Sequence, residues 1–197
     1  MKIRIITSLF IALLYASSAF AQDSTSVKVK FWYIPDYATV QFAGNIGFFS
    51  VGIGYQLFND HLYSELLYGH VPPSISKTEH IHKISLKNTF PLYTKKFSTF
   101  SLSPIAGLTL SYETENHSFV VLPDKYPKGY YHPNAFHFTL FVGAKVHKDF
   151  TNQQIIKGAD FYFELGTIER YLWYAVTQKE VKLNDIFSSA VGINLYF

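Results

Sequence analysis

The residues best suited to chemistry in this chain are its histidines and a small set of lysines and carboxylates. Eight histidines occur among 197 residues. His80-x-His82 puts two imidazoles on one face of an extended segment, with His70 and His132 expected near the same rim. Such rings suit a transition metal or a general base. No carboxylate spacing completes a zinc signature, and the alternation sends His80 and His82 outward with Ile84, so neither a metal nor a cofactor is expected. His137 points the opposite way, near the end of its segment. There a hydrogen-bonded interior histidine is the ordinary outcome, and acid-base work is the functional one.

Six charged residues, Glu65, Lys83, Lys87, Lys145, Asp160 and Glu164, fall opposite apolar neighbours in their segments. Three of each sign on one inner face suggest a network of ion pairs and hydrogen bonds. A polar channel or a buried active site would use the same groups. The elements that position them decide between these readings.

The last element is the clearest. From Phe187 to Phe197, every second residue (Phe187, Ser189, Val191, Ile193, Leu195, Phe197) makes a nearly continuous apolar face, against Ser188, Ala190, Gly192, Asn194 and Tyr196. The same period recurs over 158–168, 136–147 and 99–112, and less cleanly over 81–90, 61–70 and 49–57. These lengths approach the 9–11 residues, roughly, that a tilted strand needs to cross hydrocarbon. A seven-stranded sheet would leave edges unpaired in lipid, so an eighth strand is required. Residues 38–46 supply it, because the phase flips at Gly44-Asn45-Ile46-Gly47 as a hairpin demands. The expected fold is all-β: an eight-stranded antiparallel transmembrane β-barrel over 38–197, with both termini periplasmic. An interior of that width is just filled by side chains, which favours the structural network over a channel.

Composition agrees. Nineteen Phe and fifteen Tyr occur without Cys, excluding disulfides, a thiol nucleophile and a lipid-bearing cysteine. Lys2 and Arg4, an apolar run from Ile5 to Tyr15 and Ala19-Phe20-Ala21 read as a cleaved signal peptide over 1–21, leaving 22–37 as a periplasmic segment. Without Lys2 and Arg4 the seventeen basic side chains fall to fifteen against fourteen acidic ones, which gives no footing for nucleic acid. Connections 44–47, 71–80, 113–132 and 169–186 are expected outside the cell, and Asn59-Asp60, 92–98 and 148–156 on the periplasmic side. The segment 122–133 stands out for three Pro and a Gly. Its Lys125, Tyr126, Lys128, Tyr130 and Tyr131 make a candidate recognition loop for a glycan, lipopolysaccharide or protein, or a lid of aromatics over the barrel mouth.

The architecture resembles the small eight-stranded outer-membrane barrels, the OmpA/OmpX-like group that includes the lipid A-modifying enzymes PagP and PagL. Ala190-x-Gly192-x-x-Leu195-x-Phe197 resembles the C-terminal signal read by the barrel-assembly machinery, with Gly192, Leu195 and Phe197 in the matching places. Ala190 stands where that signal prefers a polar residue. The cleavage region is similar to that of exported Bacteroidetes proteins. The resemblance implies outer-membrane lipid and lipopolysaccharide as partners. It does not carry over a catalytic set: the deacylase's His-x-Ser has only His137-Phe138-Thr139 as an analogue, and the Asp-Ser of the palmitoyltransferase pattern is met by Asp23-Ser24, in the N-terminal segment rather than an external loop. The expected function is a structural or binding barrel acting through external loops. An enzyme acting on lipid A or phospholipid acyl chains, and a narrow channel, are the alternatives.

Overall fold

Aromatic and β-branched residues alternating with small or polar ones favour extended backbone with its two faces in different surroundings. The computed structural model describes residues 31, 33–77, 79–114, 119, 135–150, 155–169, 171–172 and 186–197. Among these residues nine strands form: β1 (Tyr37–Ala43), β2 (Phe49–Leu57), β3 (Leu62–Val71), β4 (Ile81–Pro91), β5 (Lys95–Lys96), β6 (Ser101–Glu113), β7 (Phe136–Asp149), β8 (Gly158–Ile168) and β9 (Ser188–Tyr196). β5 is a two-residue spur on the start of β6. The other eight make a closed antiparallel barrel. The sheet order β4-β3-β2-β1-β9-β8-β7-β6 returns on itself through β4–β6. Closure pairs Lys83 with Glu113 through to Pro91 with Ile105. On the far side, Tyr37 pairs with Tyr196 and Ala43 with Ala190, so the last strand is bonded to the first. No barrel strand is left as an open edge.

The two faces invert the pattern of a protein that buries oil. Val142 is 57% exposed, Phe161 55% and Leu66 54%, while Lys87, Asp160 and Glu65 are 1%, 1% and 2% exposed. Each of the eight barrel strands contributes apolar side chains outward and polar or small ones inward. Leu67, Ile105 and Phe141 are buried apolar exceptions. Thr167, which the alternation sends outward with Leu165, is also buried, near the end of β8.

The connections differ at the two ends. At one end β1 turns into β2 through Ala43 (φ 62°) and Gly44 (φ 85°), closed by the Ala43 N–H donating to the Phe48 carbonyl at 2.9 Å. The phase flip expected at 44–47 is this turn. The same end carries a one-turn helix, Pro73–Ser76, and the long spans between β6 and β7 and between β8 and β9. The opposite end carries shorter connections. Phe58, Asn59 and Asp60 there adopt left-handed backbone in succession (φ 54°, 54° and 65°). Both ends of the barrel chain meet at this turn end, where the Phe197 N–H donates to the Asp36 carbonyl at 3.2 Å and the Gln56 N–H donates to Asp36 Oδ2 at 2.8 Å. In the preceding unit, the described residues form a small turn with the Phe31 and Tyr33 rings stacked at 5.4 Å.

Candidate functional site

The inward residues assemble into three tiers along the barrel interior. Register builds the middle one: Glu65 and Lys87 are direct cross-strand partners on β3 and β4. Lys87 Nζ lies 3.6 Å from Glu65 Oε2 and 2.8 Å from Glu164 Oε1, which reaches it from β8 across the interior. The ammonium also donates to Gln41 Oε1 at 3.1 Å and sits 4.3 Å from the Tyr162 ring centre and 5.1 Å from that of Phe141. One cation thus faces two carboxylates, an amide oxygen and two π faces, which suits a buried ammonium that has lost its water. Gly192 makes room for this. A Cβ there would collide with the Tyr162 ring, which instead lies over the glycine and donates its hydroxyl to Gln41 Oε1 at 3.1 Å.

The turn-end tier centres on Asp160. Its Oδ2 accepts from Tyr196 at 2.5 Å, Lys145 at 3.2 Å and Asn194 Nδ2 at 3.4 Å. Its Oδ1 lies 2.6 Å from His147 Nδ1, and His147 Nε2 lies 3.1 Å from Asp149 Oδ1. Both ring nitrogens of His147 are thus engaged by carboxylate oxygens. Lys145 Nζ lies 3.4 Å from the Tyr63 ring centre. At the loop end, Glu113 Oε2 lies 3.1 Å from Lys83 Nζ and 3.5 Å from His137 Nε2. His137 Nδ1 is buried without a hydrogen-bond partner among the described residues. Hydroxyls pair with one another, Ser85 with Ser111 at 2.7 Å and Thr94 with Ser103 at 2.9 Å.

Little space remains between these tiers. Two interior cavities of about 10 and 20 Å³ lie beside Lys87 and Gln41, each close to the volume a single water centre needs. The turn end opens into a recess of about 900 Å³ floored by His147 and Tyr196 and walled by Tyr93, Lys96, Phe97 and Lys148.

All seven inward candidates from the sequence, Glu65, Lys83, Lys87, Lys145, Asp160, Glu164 and His137, lie in these tiers. Glu113 is a fourth interior acid, which the sequence pattern puts in the external connection 113–132 and the structure puts at the end of β6. Gln41, His147, Tyr162, Asn194 and Tyr196 also take part. Their inward phase was the available signal, but charge alone had selected the candidates. Gly192 faces inward, while Leu195 and Phe197 are exposed on the outer face. Lys125, Tyr126, Lys128, Tyr130, Tyr131 and His132 lie outside the described residues. His70, His80 and His82 sit side by side at the loop-end rim. Among the described residues, no three His, Cys, Asp or Glu side chains are arranged to hold a metal ion as they stand. Compared with protein families, curated proteins and solved structures, the chain matches none.

Proposed function

We propose that this protein is an outer-membrane barrel whose outward faces meet lipid, whose polar interior is a cross-braced filler, and whose loop end carries a structural or binding role. The observation that supports this most is the inversion of burial. Leucine, valine and phenylalanine are exposed along every barrel strand, while lysine and carboxylates are buried. In water that arrangement would leave a wide apolar surface uncovered. In a bilayer the apolar side chains meet lipid tails, and closure satisfies the backbone groups that hydrocarbon cannot.

The exported leader read at 1–21, the terminal Leu195-x-Phe197 and the likeness to small outer-membrane barrels support the same placement, with both barrel ends on the periplasmic side. Lipopolysaccharide and outer-membrane lipid are the neighbours this reading implies, with the barrel-assembly machinery acting during insertion. The filled interior weighs against a channel.

The test is fractionation of cells expressing the full chain, with migration of boiled and unboiled samples on detergent gels. Recovery in the outer membrane with a heat-dependent shift supports the reading. A protein recovered soluble from the periplasm without detergent overturns it.

A further inference from the structure

We infer that the loop-end rim carries a binding site for a divalent transition metal such as zinc or copper, built from His70, His80 and His82. Cross-strand register pairs His70 of β3 directly with His82 of β4, and His80 lies two residues before His82, on the same outer face. The ring centres lie 5.2 Å apart for His70 and His80, 5.0 Å for His70 and His82, and 6.2 Å for His80 and His82. Three imidazoles in this space meet the ligand preference of zinc, copper and nickel.

The hydrogen bonds make the case more specific. His70 Nε2 and His80 Nδ1 lie 2.9 Å apart. A nitrogen-to-nitrogen hydrogen bond needs one lone pair, so at least one ring offers an unprotonated nitrogen here. Two nitrogens bound to one tetrahedral zinc would sit about 3.3 Å apart, from Zn–N bonds of about 2.0–2.1 Å. The two nitrogens are therefore within a few tenths of an ångström of that spacing, but they face each other head-on, so the rings must turn before both lone pairs meet one metal. The ring now donating moves its proton to its other nitrogen, so that two lone pairs meet the metal with no net change of charge on the rings. The third ring is prepared too: His82 Nδ1 is 2.6 Å from the Tyr68 hydroxyl. With Nδ1–H donating to that oxygen, Nε2 is left as the ligand nitrogen, the second-shell arrangement seen around metal-bound histidines.

The rings are nearly parallel, within 14–27° of one another, and the facing nitrogens of His70 and His80, 2.9 Å apart, leave no room for a metal between them. The site thus forms by side-chain rotation, for which the exposed His80 and half-exposed His70 and His82 have room. The loop that carries His80 is fixed by local hydrogen bonds. Its one-turn helix ends with the Lys77 N–H donating to the Pro73 carbonyl at 2.8 Å, and the Ser76 hydroxyl donates to the Glu79 carbonyl at 2.7 Å. The inference stands whether or not the outer face meets lipid.

The experiment uses the full barrel in detergent, purified without a polyhistidine tag and stripped with a chelator. Zinc is titrated calorimetrically, and copper(II) is followed by electron paramagnetic resonance. The expected result is one saturable equivalent with nitrogen hyperfine structure from two or three imidazoles. Affinity should fall at least tenfold in either His70→Ala or His80→Ala and be lost in the double variant. Tyr68→Phe should weaken binding by about tenfold, the effect typical of a second-shell partner. His61→Ala, at the opposite end, should change nothing. Heat-dependent gel migration confirms that each variant is folded. Absence of saturable binding, or equal binding by the folded double variant, overturns the inference.

Discussion

Tyr196, the penultimate residue, donates its hydroxyl to Oδ2 of Asp160 across 2.5 Å, fastening the last strand to a carboxylate that Lys145 and His147 also hold. The end of the chain is therefore tied through the interior as well as through its backbone ladder. Replacing Tyr196 with Phe keeps the ring and removes one donor from a buried, charged acceptor. The expected cost is about 1.5–3 kcal/mol, the usual worth of a hydrogen bond to a charged group. Urea unfolding of the barrel in lipid vesicles measures it, and a change below about 0.5 kcal/mol would show that the remaining donors suffice.

Lys87→Met leaves Glu65 and Glu164 facing each other without their shared cation. Breaking such a buried set from one side costs about 3–5 kcal/mol. Combining Lys87→Met with Glu65→Gln and Glu164→Gln should return most of that loss, because no uncompensated charge then remains. If the triple variant unfolds as easily as the single one, the loss comes from packing against Tyr162 and Phe141 rather than from charge.

The outward faces give the sharpest test of the membrane reading. Val142→Arg and Phe163→Arg, near the middle of β7 and β8, should each destabilise the barrel in a bilayer by about 2–4 kcal/mol. A water-facing surface would absorb the same changes within about 0.5 kcal/mol. Comparing unfolding in vesicles for these two variants against Lys148→Arg, at the turn end, separates the cases.

Gly192→Val should cost about 1–3 kcal/mol, as overpacking does in a filled interior, because its side chain would enter the space of the Tyr162 ring. Adding Tyr162→Leu should relieve part of that cost. Equal stability of Gly192→Val and the parent protein would show that the ring moves aside freely.

In planar bilayers the parent protein should give no resolved conductance steps, since the interior gaps are about 10 and 20 Å³. Well-resolved, reproducible steps from the purified protein would revive the channel reading.

The sequence alone determined the strand period, the apolar outer faces, the hairpin at Gly44 and the inward phase of Glu65, Lys87, Asp160 and Glu164. These are local consequences of a two-residue repeat, in which each side chain's face follows from its neighbours. It also left the right number of barrel strands, since closure needs an even antiparallel set with no edge. Tertiary structure decided who meets whom. Glu164 comes to Lys87 from across the interior, Asp160 gathers Tyr196, Lys145 and His147, and Glu113 joins Lys83 through the pairing that closes the ring. The same register sets His70 beside His82, turning a two-histidine strand motif into a cluster of three. Such partnerships depend on stagger and barrel curvature between distant segments, and a repeat of period two is identical under every even shift of register.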